Sequence, residues 1–564
     1  MGYKETYNRW LTSDVVDDDT KAELKSIENN EKEIEERFYR ELEFGTAGMR
    51  GIIGAGTNRI NIYNVRRASQ GVAKYVLSNG EDAAKAGVLI GYDTRNFSRT
   101  FAEETAKVLT CAGVKTYLFP IVHSVPEVSF GIRELGCSAG VMITASHNPK
   151  EYNGYKVYGP DGGQLPPDAA DVVVTAIDSY DIFDDVKFIS LDEAKEKGLL
   201  EIVSSDLDEK FLDVVQTQQQ NPEAVAEVAD TFKLIYTPFH GTGSRPIKAI
   251  LNRMGFKNVL VVKEQDTEDG NFPTVKSPNP EDKEGFEIAI KMAKENDVDV
   301  IIGTDPDCDR VGIVVRDADG IYRTLTGNQT GALLVEYILS SKKAKGTLPE
   351  NGVVIKTIVT TELAAAIAHS YGIEIMNVLT GFKWIGDQIA GLEAAGEVDR
   401  FIFGFEESYG YLSGSYVRDK DGVNAAFLIC EMFAYYKAQG ISLWQKLKEL
   451  YQTYGYCLNT LHSFTFEGAA GFLRMKEIMA SLRQGIDMIG GKRVLECLDY
   501  SRGLDGLPKS DVLKFMLEDY CSVVIRPSGT EPKMKVYLSV SAEDMEMAGR
   551  IEAEMAESLK GFFE

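Results

Sequence analysis

Along most of the chain, apolar runs of strand length alternate with segments of helical length. The runs VLIGYD (88–93), SAGVMIT (138–144), FKLIYTP (232–238), NVLVVKE (258–264) and VDVIIGTD (298–305) predict strands, as do GVVIKTI (352–358), EIMNVLTG (374–381) and RFIFGF (400–405). Stretches such as TELAAAIAHSYG (361–372) lie between them with helical spacing. Such alternation argues for α/β layers with largely parallel sheets. The ends differ. A charged pattern, DTKAELKSIENNEKEIEERFYRELE (19–43), predicts a leading helical arm over the first forty residues. CSVVIRPSGTEPKMKVYLSVSA (521–542) predicts two strands around a turn, then a helix from about Glu543, which reads as a small α+β domain. A chain of 564 residues is too long for one hydrophobic core. Boundaries near 205, 325 and 455 divide it into four domains: 1–205, 206–325, 326–455 and 456–564.

Four polar loops each follow an apolar run: TASHNP (144–149), TDPDCDR (304–310), FEESYG (405–410) and RPSGTEPK (526–533). Open α/β sheets bind ligands beyond the carboxyl ends of their strands, so about one loop per domain predicts a single cleft walled by all four. Asp305, Asp307 and Asp309 stand at i, i+2 and i+4, a spacing that can aim three carboxylates at one point. That convergence is repulsive without a cation, and hard oxygen ligands suit Mg²⁺. The loop is not an EF-hand, since Arg310 and Arg316 stand where Gly and Glu are needed. Asp309 also departs from the Thr or Val expected of a haloacid-dehalogenase-type phosphatase. In the last loop, Arg526, Ser528, Thr530 and Lys533 surround Gly529, a composition suited to a phosphate. Glu406, Glu407 and Ser408 suit vicinal hydroxyls, and Lys383 in TGFKWIG (380–386) sits in an apolar context that can lower its pKa toward proton transfer.

Charge narrows the partners. With 61 basic against 86 acidic residues the chain carries −25, which repels nucleic acid and anionic membranes. An anionic substrate then needs a local basic pocket. The seven cysteines are scattered without a CxxC pair, so the expectation is a reducing cytosol with no disulfide framework or zinc site. The first residues hold no apolar core of a secretory signal, although Gly2 and Thr6 fit a short myristoylation pattern, and no apolar stretch approaches a membrane span.

Ser146, after the run ending at Thr144, is the candidate nucleophile. A serine-hydrolase reading finds no elbow around it, and the G-x-S-x-G at 136–140 puts Ser138 before a strand rather than after one. His147 is its immediate neighbour, better placed to shape the loop or touch phosphate than to act as a triad base. A serine can instead carry a phosphoryl group, with metal and arginines supplying the electrostatics.

Taken together and in order, the four loops resemble those of the α-D-phosphohexomutase superfamily, whose best known members are phosphoglucomutase and phosphomannomutase. TASHNP resembles the phosphoserine loop, TDPDCDR the Mg²⁺ loop, GFEESYG the sugar loop and RPSGTEPK the phosphate loop. FGTAGMRG (44–51) is similar to the N-terminal signature, with Arg50 near the site, and the branch most resembled is the phosphoglucomutase-2-like one. The resemblance implies a four-domain, heart-shaped α/β protein: three α/β domains with mixed sheets, a C-terminal α+β domain and a central cleft. It implies that Ser146 carries phosphate and shares Mg²⁺ with Asp305, Asp307 and Asp309, that Arg310 and His147 serve the phosphoserine side, and that Lys156 and Lys383 bind ligand or assist proton transfer. Arg50, Glu406, Ser408, Arg526, Ser528, Gly529, Thr530 and Lys533 would hold the sugar phosphate. The implied reaction is a Mg²⁺-dependent interconversion of glucose 1-phosphate and glucose 6-phosphate through glucose 1,6-bisphosphate, by a cytoplasmic monomer or small homo-oligomer. Its partners would be sugar phosphates, with neither nucleic acid nor membrane. FEESYG differs from the GEMSGH-like loop of dual-specificity glucose/mannose enzymes, and the resembled branch also contains phosphopentomutases, so phosphopentose is the rival substrate, with phosphomannose a further alternative within the superfamily and a non-catalytic sugar-phosphate sensor the alternative of another class.

Overall fold

The computed structural model describes residues 2–45, 48–466, 468–504, 506–528 and 533–563, with 468–470 described by backbone alone. These residues form four sheets, which follow one another along the chain. The first is ordered Phe44–Gly45, Gly48–Ile52, Tyr152–Tyr158, Ala139–Ile143, Val88–Tyr92, Thr116–Leu118, Leu200–Ile202. The second runs Tyr322–Leu325, Val311–Arg316, Val300–Thr304, Lys233–Thr237, Asn258–Val261. The third is Glu374–Val378, Val353–Thr357, Phe401–Glu406, Gly410–Leu412. The fourth is Tyr456–Thr465, Lys533–Ala542, Ser522–Pro527, Leu513–Leu517, Lys492–Asp499, Met488–Ile489. Every apolar run read above as a strand is one, and the helix expected at 361–372 spans Glu362–Ser370.

The sheets are mixed, as the resemblance implied, rather than largely parallel, as the alternation alone suggested, and the reason lies in the four polar loops. Each connects two neighbouring antiparallel strands. Ala139–Ile143 pairs antiparallel with Tyr152–Tyr158 across the serine loop, and Val300–Thr304 with Val311–Arg316 across the aspartate loop. Phe401–Glu406 pairs with Gly410–Leu412 across the glutamate loop, and Ser522–Pro527 with Lys533–Ala542 across the last. A short connection permits only an antiparallel return. Parallel pairs persist elsewhere in the first three sheets, where helices supply the crossovers, as between Val88–Tyr92 and Ala139–Ile143. The fourth sheet is antiparallel throughout.

Burial divides the molecule unevenly. One apolar cluster runs through the first three sheets, from Leu89 and Phe119 through Leu234 and Ile302 to Phe405 and Leu450. Helix Gly422–Ala438 is apolar around almost its whole circumference, with Asn424, Phe427, Glu431 and Ala434 among its buried positions, and it packs into this shared core. The fourth sheet has a separate core, including Met475, Phe515, Ile525 and Phe563. It meets the rest through a small patch in which Ile358, Val359 and Leu379 pack on Val512, Val524 and Tyr537, and through Tyr456 and Cys457, which touch Tyr451 and Thr361.

The leading arm is three helices, Tyr3–Thr12, Asp18–Ser26 and Glu31–Phe38, the last two started by Asp17 and Asn30 side chains that accept from Thr20 N and Glu33 N. The arm folds back onto the first unit. Trp10 lies edge-on to Phe38, Tyr63 and Phe183 with ring centroids 5.8, 5.2 and 5.3 Å away, and Arg9 reaches Asp181 at 2.6 Å. All seven cysteines are free thiols, and among the described residues no helix is long and apolar enough to cross a membrane.

Removing the Trp10 ring leaves a large void among three aromatic partners. Trp10→Ala is expected to cost about 3–5 kcal/mol, read as a lower urea midpoint, whereas Trp10→Phe should cost much less. Equal midpoints for wild type and Trp10→Ala would show that the arm does not stabilise the first unit.

Candidate active site

The serine loop begins at the carboxyl end of the fully buried strand Ala139–Ile143, where the ladder ends and the backbone must find new partners. Ser146 takes a left-handed φ of +52°, unusual for a residue with a Cβ. Thr144 Oγ1 accepts from its N–H at 2.8 Å. The buried Arg95 guanidinium holds the loop from below, donating to the carbonyls of Ser146 (2.5 Å), Asn148, Pro149 (2.9 Å) and Tyr152 (3.0 Å). Asp93 balances that charge at 3.4 Å, and the guanidinium lies over the Phe272 ring of the second unit. Four backbone acceptors on one planar cation fix the loop's path in a way a lysine could not reproduce. Arg50 Nη1 donates to Asn148 Oδ1 at 2.7 Å from above, and Ser277 Oγ donates to the His147 carbonyl at 2.7 Å.

So held, the Ser146 hydroxyl donates to Asp305 Oδ2 at 2.8 Å and lies 3.1 Å from His147 Nδ1. Burial, reinforced by the charges of Arg310 and Arg50, holds His147 well below the usual histidine range, so it is a neutral imidazole.

Asp305, Asp307 and Asp309 converge as their spacing suggested. One oxygen of each lies within 4.8 Å of the others, and all three are buried. Each pair then repels by on the order of 3–4 kcal/mol at an effective dielectric near 20. Burial and the two neighbouring carboxylates push Asp305 well above the usual carboxylate range. Burial and Asp307 raise Asp309, whereas Asp307 is held low, against burial, by Lys156. Lys156 Nζ sits 2.9 Å from Asp307 Oδ2 and 3.7 Å from Asp309 Oδ2, and Lys420 Nζ sits 3.1 Å from Asp309 Oδ2 and 3.0 Å from Asp419 Oδ1. Two ammonium groups do not balance three carboxylates. Among the described residues, Asp307 Oδ1 and Asp309 Oδ1 are buried without a hydrogen-bond partner. An oxygen-rich, acidic cradle with two unclaimed acceptors fits a hard divalent cation.

The turn itself is tight. Cys308 has a φ of +52°, and Gly422 N donates to the Cys308 carbonyl at 3.0 Å. A Cβ at Gly422 would stand 2.4 Å from that oxygen, so only glycine lets helix Gly422–Ala438 begin against the aspartate loop. Arg310 Nη1 pairs with Glu281 at 2.7 Å, and its buried Nε faces Asp309 Oδ1 at 3.9 Å.

Glu406 ends its strand buried, and its charge raises both Arg310 and Lys420, whose stronger neighbours are Glu281 and Asp309 for the first and Asp309 and Asp419 for the second. Glu407 turns the other way, accepting from Thr357 Oγ1 at 3.1 Å and Thr360 Oγ1 at 3.3 Å. Burial and Glu406 push the Glu407 carboxyl up to about 7, with Arg526 opposing. Ser408 is half-buried on the same loop, and Tyr409 beside it has a φ of +67°. Arg526 Nη2 donates to Tyr537 Oη at 3.1 Å, while its buried Nε has no partner among the described residues. Ser528 N donates to the Lys533 carbonyl at 2.7 Å and closes the neck of the last loop, whose Gly529 and Thr530 lie outside the described residues. Lys383 opens helix Lys383–Ala394 over the Trp384 ring, and burial lowers its pKa as its apolar context suggested.

The structure thus brings Ser146, His147, Lys156, Asp305, Asp307, Asp309 and Arg310 into one cluster, with Arg50 at its edge. Glu407 and Arg526 share a field with Glu406, and through it the sugar-type and phosphate-type loops join that cluster. Two residues escaped sequence reading. Lys420, in VRDKDG (417–422), lies outside all four loops, and only its place just after an apolar stretch marked it. Arg95, in YDTRNFS (92–98), reads as an ordinary exposed arginine after a strand.

The chain is similar to known proteins along most of its length. Family models for phosphoglucomutase/phosphomannomutase α/β/α domains I, II and III match residues 41–182, 209–320 and 326–454. A phosphoglucomutase of Staphylococcus haemolyticus is 37% identical over 528 residues, covering 92% of this chain and 93% of that protein. One from Staphylococcus epidermidis is 36% identical over 555 residues, covering 96% and 97%. Among solved structures, the Paramecium phosphoglucomutase parafusin in its open form superposes with a TM-score of 0.71 at 18% identity, covering 93% of this chain and 95% of that one. A phosphoglucomutase/phosphomannomutase family protein of Burkholderia thailandensis gives 0.66 at 18% identity, covering 92% and 97%. These last two share the fold.

The position of Glu407 has a pH signature. Its folded pKa of about 7 exceeds the ordinary 4.5, so the folded state keeps a proton that the unfolded chain has already lost. Its contribution is therefore full below pH 4.5 and lost as pH rises through 7. Glu407→Gln removes this term, and the urea midpoint of the variant should gain on that of wild type as pH rises from about 5 to 7.5. A constant difference across that window would contradict the buried, proton-holding carboxyl.

Proposed function

For a chain that belongs to the α-D-phosphohexomutase superfamily, in its phosphoglucomutase branch, we propose a phosphoglucomutase that interconverts glucose 1-phosphate and glucose 6-phosphate. The observation that carries this reading is the Ser146 hydroxyl, which gives its one proton to Asp305 of a buried three-carboxylate cradle at 2.8 Å although His147 Nδ1 lies 3.1 Å away. Asp305, Asp307, Asp309 and the serine oxygen would hold Mg²⁺, which when bound offsets charge on the phosphoryl oxygens.

In this reading Ser146 carries a phosphate. The Oγ–P bond breaks as a P–O bond forms to the 6-hydroxyl of glucose 1-phosphate, and the hydroxyl proton passes to a basic side chain, giving glucose 1,6-bisphosphate. The bisphosphate turns round. The O1–P bond then breaks, Oγ–P re-forms, and O1 takes a proton. Lys156 and Lys420 stand at the carboxylates, and Lys383, its pKa lowered by burial, suits proton exchange at the sugar. Arg310 and neutral His147 steady the phosphoserine side. Glu406 and Ser408 take sugar hydroxyls, while Arg526, Ser528, Gly529, Thr530 and Lys533, with Arg50, take the substrate's own phosphate. The basic groups answer the −25 charge locally, since screening limits the surface field to about 8 Å in physiological salt. Water must be kept from the phosphoserine, so a cleft closed by the C-terminal unit belongs to the scheme.

The test is turnover of glucose 1-phosphate with Mg²⁺ and a trace of glucose 1,6-bisphosphate, with ribose 1-phosphate in parallel because FEESYG leaves phosphopentose as the rival. Glucose 1-phosphate should be the faster substrate. A ribose preference would move the assignment to phosphopentomutase, and inactivity on both would favour a sensor. Ser146→Ala should lose at least a thousandfold in turnover with an unchanged melting profile; near-normal turnover would end the phosphoserine scheme. Asp307→Asn should lose Mg²⁺-dependent activity while folding is retained, and unchanged activity would contradict the metal assignment.

A further inference from the structure

Beneath the sugar-type loop lies an ion cluster that the scheme above does not use. The strand Val353–Thr357 ends in a turn, residues 358–361, that faces two units at once. On one side Thr357 Oγ1 and Thr360 Oγ1, 2.8 Å apart, both donate to the same oxygen of Glu407, at 3.1 and 3.3 Å. On the other, Lys514 of the fourth sheet donates to the Ile358 carbonyl at 3.1 Å and lies 3.5 Å from Glu362 Oε1. Fully buried Lys356 completes the cluster, donating to the Thr360 carbonyl and to Glu362 Oε1, both at 3.1 Å.

The chemistry of this cluster is costly. Two buried ammonium groups share one carboxylate, and burial is tolerated only while their remaining protons find the turn's carbonyls. The turn is therefore held from both sides by groups that cannot simply let go. Lys514 is the buried cation contributed by the fourth unit, which also touches the third through the small apolar patch around Ile358, Val359 and Tyr537, through the Tyr456 ring on Tyr451 and through Cys457, which accepts from Thr361 Oγ1 at 3.4 Å.

We propose that Lys514, acting through Glu362 and the 358–361 turn, is a positioning residue for the sugar loop: the seat of the phosphate-binding unit fixes where Glu407, and with it Glu406 and Ser408, present themselves to the sugar. Glu407 is then an anchor, and its neighbour Glu406 is the hydroxyl ligand. The arrangement links recognition of the two ends of one substrate, since a unit that closes on the phosphate also sets the hydroxyl-binding loop.

This rests on the proposed mutase reading for its kinetic arm and is independent of it for its structural arm. In hydrogen-exchange mass spectrometry of the full chain, Lys514→Met should raise exchange in peptides spanning 405–412 at least fivefold, with Lys514→Arg closer to wild type. In turnover, Lys514→Met should raise the KM for glucose 1-phosphate about tenfold with kcat changed less than threefold, and should narrow the glucose-over-ribose ratio of kcat/KM. The double variant Lys514→Met/Glu407→Gln should cost little more than the larger single change, because both act through one turn. Unaltered exchange at 405–412 in Lys514→Met would overturn the inference whatever the activity. So would a uniform loss of kcat on both sugars at constant KM, the mark of a merely structural lysine. If Lys514→Met does not fold, Thr360→Val tests the same link from the other side of the turn, with the same two outcomes. Inactivity of the wild type on both sugars, with the exchange change present, would remove the mutase reading and leave the positioning role standing.

Discussion

Three carboxylates forced into one buried space are the constraint from which the rest of the centre follows. Asp305, Asp307 and Asp309 come from a single turn, but the charges that make the turn tolerable come from elsewhere: Lys156 from the first unit and Lys420 from the third. A charge imbalance in one loop is thus settled by a joint among three units, and the continuous apolar core behind it holds that joint in register. The serine belongs to the same arrangement, because its hydroxyl reaches Asp305 only when the first and second units are correctly seated.

Hairpins explain how such short loops hold such geometry. Both ends of each loop are tied to adjacent, hydrogen-bonded strands, so a few residues suffice to carry a side chain in a fixed direction. The expense is backbone strain, and it falls where the chemistry is: Ser146, Cys308 and Tyr409, one in each of three loops, all have left-handed φ without being glycine. The structure pins each from outside, through Arg95 at the serine turn, through Gly422 at the aspartate turn and through the Val311 N–H that donates to the Tyr409 carbonyl at the glutamate turn.

Much of this was legible in sequence because the chemistry is concentrated in contiguous stretches. Asp305, Asp307 and Asp309 announce a cation by spacing alone, and Ser146 stands out as a polar residue just past a buried strand. The helical arm was legible as helices, though not its return onto the first unit, because Trp10 precedes the charged pattern that drew attention. Antiparallel return was hidden because a polar loop after a strand looks the same whether a strand or a helix follows. Lys420, Arg95, Lys356 and Lys514 were hidden for a common reason. Each matters only through groups distant in sequence, and a lysine inside an apolar strand, as at Lys356, carries no local mark of the carboxylate it will meet.

The partition of the apolar core has a consequence for how such a chain can change over time. Substitutions at the shared cluster that runs through the first three units are felt by neighbouring units and must be compensated there, although the first and second units also hold cores of their own. The fourth unit answers to its own core and to a small contact patch. It can drift, or be exchanged for a counterpart from a relative, with a limited set of contacts to be matched: that patch, Lys514, and the Tyr456 and Cys457 contacts with Tyr451 and Thr361. Sequence change has its least obstructed route there, in the part of the molecule whose core is separate from the cluster its neighbours share.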